Sequence, residues 1–250
     1  MSDFNRGYPR SMAAVSGDMA VDAGLRAFML GVYNKLALGL ILSAALAYVT
    51  ADIPAVRDQI YVVDADGRLV GFTLLGTVLR FAPLVVMLVG MFGMRNVTPR
   101  SSGVFYWTIV ALIGAGLGVW MLAYTGVSVA STFLITAAAF GALSLVGYTT
   151  KKDLTGFGNF LIMGLFGIVI AMIANMFLHL AGMAFIINIL GVLIFAGLTA
   201  YDTQRLKMSY YQLGGNQTAM GIATNYGALS LYLNFINLFQ FLLSFTGNRR

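Results

Sequence analysis

Long apolar runs alternate with short polar connections along almost the whole chain. Stretches without sustained polarity occupy about 29–51, 74–94, 104–124, 128–148, 157–178, 182–201 and 226–245. At 1.5 Å rise per residue, each is long enough to cross roughly 30 Å of hydrocarbon as a helix. The pattern therefore predicts an all-α polytopic membrane protein with seven transmembrane helices over 28–246. A polar N-terminal tail at 1–27 and a short C-terminal tail at 247–250 flank them. The fifth and sixth helices are joined by a few residues around His179 and Ala181, which predicts a tight antiparallel pair. The 52–73 connection reads as strands: Tyr61-Val62-Val63 and Leu69-Val70-Gly71-Phe72 flank Asp66-Gly67, a dipeptide suited to a hairpin turn.

Composition agrees with the pattern. Of 250 residues, 59% are hydrophobic and only 10% are charged, and the mean hydropathy is +0.85, so no catalytic domain has room outside the bilayer. Every acidic residue is Asp, there is one His, and there is no Cys, which removes thiolate chemistry and His- or Cys-built metal centres. The net charge of +6 is spread through loops and tails without a basic stripe, which argues for membrane topology rather than nucleic acid. Arg6, Arg10, Arg26, Arg95, Arg100, Lys151, Lys152, Arg205 and Lys207 fall on one set of connections. Only Arg57, Arg68, Arg249 and Arg250 fall on the other. The positive-inside rule then places the N-terminus in the cytoplasm and the C-terminus outside.

Polar side chains that remain in apolar helices face the bundle interior. On the last helix Tyr226, Ser230, Asn234, Asn237 and Ser244 fall within a wedge of about 80°, which predicts that helix seven is central and surrounded by the other six. Helix six carries Asn188, Phe195, Thr199 and Asp202 on one face. Asp202, at the end of the sixth apolar run, is the site's expected working carboxylate. A helix C-terminus disfavours an anion, so a compensating group is needed, and Arg95 and Arg205 are the cations available. Gly114 and Gly118 allow a close helix contact in the third span, and Lys35 is expected to snorkel inward from the first. An intramembrane enzyme is not expected, because one Asp makes no dyad and no Cys or His stands at depth.

Three segments resemble the Bax inhibitor-1 (transmembrane Bax-inhibitor-motif) family in a bacterial form. They are Asp22 to Arg26 leading into Val32-Tyr33-Asn34-Lys35, Gly197 to Gln204 closing helix six, and Ala228 to Phe239 in helix seven. The resemblance implies a seven-helix bundle with the seventh helix central, located in the bacterial inner membrane, and a pH-sensitive calcium leak. It also implies two facing Asp residues latched by an Arg. Asp202 matches the first Asp and Arg95 is the candidate latch, while Asn234 stands where the second Asp is expected. Ser230, Asn237, Thr199 and Asn188 are the expected pathway lining. Losing one carboxylate removes the repulsion by which a carboxylate pair senses pH and leaves Asp202 as a weak calcium ligand, so calcium enters as a permeant or weakly held ion and no other cofactor is expected. The resemblance also implies a second reading without transport, in which the chain regulates a membrane-anchored ATP-dependent protease through its N-terminal tail.

Overall fold

The structure is a computed structural model that describes residues 23–93, 96–178, 180 and 182–249. Arg95, His179 and the N-terminal tail to residue 22 lie outside the described residues. The helices are α1 (Ala23–Asp52), α2 (Pro54–Ile60), α3 (Leu74–Gly93), α4 (Pro99–Gly116), α5 (Gly118–Ala123), α6 (Gly126–Thr149), α7 (Thr155–Leu178), α8 (Met183–Gln212) and α9 (Gln217–Thr246). Between α2 and α3 lies the expected hairpin, β1 (Tyr61–Val63) paired antiparallel with β2 (Leu69–Phe72), Tyr61 opposite Phe72. Gly67 turns it with φ of 76°, a conformation that glycine adopts without a steric penalty.

Six helical stretches are long and apolar enough to cross a membrane: α1, α4 with α5, α6, α7, α8 and α9. In α3 the apolar part is shorter, Leu74–Gly90. The third expected span is broken at Leu117, between α4 and α5, within the run Gly114-Ala115-Gly116-Leu117-Gly118. Helix starts follow local chemistry. Thr98 and Ser101 form a capping box ahead of α4, while Thr125 caps α6 and Asn216 caps α9 by accepting a backbone N–H three residues on.

Packing fixes the relative directions. Gly39 of α1 abuts Tyr106 and Val110 of α4, Ser43 meets Gly114, and Thr50 donates to the Ala115 carbonyl at 3.0 Å, so both sequences advance together and α1 and α4 run parallel. Gly118 also lies against Thr50, so both glycines of the expected close contact serve α1. By the same reasoning α8 and α9 are antiparallel: Leu206 meets Gly227, Asp202 meets Asn234, and Gly191 meets Phe241.

The last helix is the most buried of the six. Its main packing is against α8, α1, α4 and α6, with α3 and α7 further out than those four. One side of α9 enters a large apolar core with Val32, Tyr106, Ile109, Phe140 and Tyr232, and Leu238 enters a second core with Leu161 of α7 and Phe195 of α8. The outer faces of α3 and α7 are apolar and exposed, as for Phe92, Phe166 and Phe177, a distribution suited to lipid contact.

Candidate functional site

Asp202 projects from α8 toward α9 and is only 5% exposed. Its Oδ2 accepts two hydrogen bonds from α9, from the Ser230 hydroxyl at 2.7 Å and from the Asn234 amide at 2.7 Å. Its Oδ1 pairs with the Arg205 guanidinium at 2.9 Å, one helical turn further along α8. Arg205 is about half exposed, lies over the Tyr201 ring, and also reaches the Ser230 hydroxyl at 3.3 Å. The carboxylate is therefore buried with a full set of partners, as an ionised group away from water must be.

The helix does not end at Asp202, contrary to the expectation from the apolar run. It continues to Gln212, about 15 Å further along its axis, so the unfavourable helix pole is distant. What stabilises the anion is Ser230, Asn234 and Arg205. The apolar run ends at Ala200 and Tyr201, but the helix beyond buries Thr203, Leu206 and Lys207 on its inner face, and the 3.6-residue spacing of those residues was the readable signal.

The other expected lining residues are distributed differently. Thr199 is fully buried, but its hydroxyl donates to the Phe195 carbonyl of its own helix. Asn237 is half-buried and donates to the Leu233 carbonyl, again within its own helix. Asn188, near the start of α8, lies about 21 Å along the axis from Asp202 and does not join it. Tyr226 is exposed. The expected stripe thus resolves into a short cluster, Asp202 with Ser230 and Asn234, and residues that satisfy themselves locally. Beyond the cluster the α8–α9 seam is closed by aromatic packing: Phe241 stacks on Phe195 at 5.8 Å between centroids.

Calcium takes about six to eight oxygen ligands. Asp202, Ser230 and Asn234 together offer one carboxylate, one hydroxyl and one amide, with a guanidinium already on the carboxylate. This set does not fit a tight calcium site. Among the described residues no three His, Cys, Asp or Glu side chains gather around a common point.

Contacts that hydropathy could not disclose surround the site. Gln204 accepts from the Leu154 amide at 2.8 Å and donates to the Lys152 carbonyl at 2.7 Å, fastening the α6–α7 connection to α8. Buried Lys207 donates to the Tyr148 carbonyl at 2.8 Å, in the last turn of α6, where carbonyls lack intrahelical partners. Lys35 donates to the Asn225 side chain of α9, so it points into the bundle, and Asn225 in turn donates to the Pro99 carbonyl at 2.9 Å and to Ser102 at 2.8 Å.

A sequence profile described as inhibitor of apoptosis-promoting Bax1 matches residues 25–250. An uncharacterised protein of Caulobacter vibrioides is 64% identical over 250 residues, all of both chains. Inner membrane protein YbhL of Escherichia coli K12 is 39% identical over 97% of this chain and 99% of its own, and RP147 of Rickettsia prowazekii is 38% identical over 97% and 98%. With the profile spanning nearly the whole chain, and six apolar helices able to cross a bilayer, the chain belongs to the Bax inhibitor-1 family of membrane proteins.

Proposed function

We propose that the chain is a slow, gated cation leak of a bacterial inner membrane, with Asp202 as the group whose neutralisation opens it and calcium as a weakly held permeant ion. One observation carries the reading: a buried carboxylate is the polar tie between α8 and α9. A proton or a cation arriving at Asp202 weakens its hold on Ser230, Asn234 and Arg205, and the two helices lose that tie. The leak is slow because bulky Phe235, Phe239 and Phe241 interrupt the polar positions of α9 and, among the described residues, no ring of charge lines it. Asn234 in place of a carboxylate weakens both the response to pH and the binding of calcium.

The reading includes seven crossings, with α3 as the seventh and the C-terminus outside. The parallel course of α1 and α4 supports it, because the chain must return between them. Gly76 of α3 lies against Ile60 beside the end of α1, and Gly90 lies against Phe105 near the start of α4, contacts that support α3 as the returning segment.

The test is calcium flux into liposomes between about pH 6 and about pH 8 for the native chain, Asp202→Asn and Asn234→Asp. The expected result is a shallow pH response in the native chain, its loss in Asp202→Asn and a steeper response in Asn234→Asp. A steep native response that Asn234→Asp leaves unchanged, or a leak unaltered by Asp202→Asn, removes the reading. The protease-regulating alternative depends on the N-terminal tail, most of which lies outside the described residues, and no described feature favours it.

A further inference from the structure

A cavity of about 480 Å³ lies between α1 and α6, two helices that do not pack closely against each other. Leu40 and Ala44 form one wall, Ala130 and Phe133 the other, Phe239 of α9 the floor and Trp120 of α5 one end. Ala44 and Ala130 are exposed at the rim, so the cavity opens sideways, in the second half of α1 and α9 and beside the first turns of α6, on apolar helix faces suited to lipid. Its single hydroxyl, Ser43, already bonds the Tyr232 hydroxyl at 2.7 Å and the Val110 carbonyl at 3.3 Å. A water molecule needs about two to four polar partners, and the side chains lining this cavity are almost all apolar.

The Trp120 end of the cavity continues into a basic contact. Trp120 stacks on Tyr124, and the Arg249 guanidinium lies over the same Tyr124 ring at 5.8 Å, just beyond the end of α9. Arg249 is exposed and is held there by backbone pairing with Tyr124 and by the Asn248 contacts to Thr125 and Ser128. An aromatic pair and a cation at a helix end mark the depth at which lipid phosphates lie.

We infer that this cavity holds one acyl chain of a bilayer phospholipid, inserted sideways between α1 and α6, with the lipid phosphate on Arg249. The volume equals roughly sixteen water-sized groups of about 30 Å³, and a methylene is of similar size, so one chain fills it. The occupant comes from the bilayer, and the cavity does not include Asp202.

The chain has two tryptophans, so Trp107→Phe leaves Trp120 as the reporter inside the cavity. The full-length variant in detergent is titrated with phosphatidylglycerol brominated midway along its acyl chains. Trp120 emission is expected to quench with saturation at one lipid per protein, and native mass spectrometry is expected to retain a single lipid adduct. Ala44→Leu and Ala130→Leu fill the cavity from opposite walls, and each is expected to abolish the saturable quenching and the adduct while far-ultraviolet circular dichroism stays unchanged. Arg249→Gln is expected to raise the half-quenching concentration roughly fivefold. Quenching that rises without saturating, or a saturable phase that survives both filling substitutions, overturns the acyl-chain site. An unchanged half-quenching concentration in Arg249→Gln overturns the phosphate contact.

Discussion

The Asn234 amide donates to Oδ2 of Asp202 at 2.7 Å, and the Ser230 hydroxyl donates to the same oxygen, so one carboxylate oxygen joins two turns of α9 to α8. Asp202→Ala leaves a buried amide donor without its acceptor, at a cost of about 2–3 kcal/mol, more than the tie itself is worth. Removing both partners relieves that penalty. The double variant Asp202→Ala/Asn234→Ala is therefore expected to be less destabilised than the two single effects added together, by about 1 kcal/mol or more. Thermal melting in detergent of the four members of this cycle measures the coupling. Additive losses would mean that the two side chains do not interact.

The face that brings Asp202 to Asn234 is legible in the sequence, because helical spacing puts Ser230 and Asn234 in one wedge and Thr199 and Asp202 in another. How far each wedge is used is not. Thr199 and Asn237 have nearby backbone carbonyls and bond them, and nothing in a one-letter pattern separates that choice from a bond across helices. The end of α8 is hidden for a different reason. Past Tyr201 the helix turns from apolar to amphipathic, and a hydropathy run stops where the helix does not. Lys35 and Asn225 are 190 positions apart, and only the packing of α1 on α9 brings them together.

If α3 crosses, the β1–β2 hairpin and the C-terminus share one side of the membrane, and the α6–α7 connection lies on the other. The chain has no cysteine, so single cysteines report without background. Asp66→Cys and Asn248→Cys are expected to react with a membrane-impermeant maleimide from outside intact cells, and Lys151→Cys only after the membrane is opened. Should α3 fail to cross, Asp66 and Asn248 would report from opposite sides.

Two glycines of the same helix α6 should respond oppositely to a methyl group. A Cβ at Gly147 overlaps the Ala200 carbonyl of α8, whereas nothing lies within 4 Å of one at Gly141. Gly147→Ala is expected to destabilise the chain by about 1–3 kcal/mol through overpacking. Gly141→Ala is expected to be neutral or to stabilise by up to about 1 kcal/mol through helix propensity. Melting of the two variants side by side distinguishes close packing of α6 on α8 from a general intolerance of α6 to substitution.

Asp153, in the exposed α6–α7 connection, accepts from the Thr155 amide at 2.8 Å, and hydrogen bonding from Thr155 holds its carboxyl below the usual carboxylate value. A carboxyl depressed in the folded state contributes stability above its unfolded value of about 3.9, and the contribution is lost as pH falls through the folded value. Asp153→Ala is expected to lower the melting temperature slightly at neutral pH, and the deficit is expected to vanish once the pH falls below the carboxyl's depressed folded value. A deficit that persists in acid would assign the effect to something other than this ionisation.

Asn225 is the harder case, because one side chain serves three helices. It accepts from Lys35 of α1 and donates both to the Pro99 carbonyl and to Ser102 at the start of α4. Asn225→Ala removes all three bonds and leaves Lys35 without this acceptor, an expected loss of about 2–4 kcal/mol. Asn225→Asp keeps an acceptor for the lysine, and makes it charged, but cannot donate to Pro99. If the partnership with Lys35 dominates, the Asp variant melts close to the native chain. If the start of α4 dominates, it melts close to the Ala variant. Replacing Lys35 with Met separates the two directly: in that background Asn225→Ala is expected to cost about 1–2 kcal/mol less than it does in the native chain, because no ammonium is left without its acceptor.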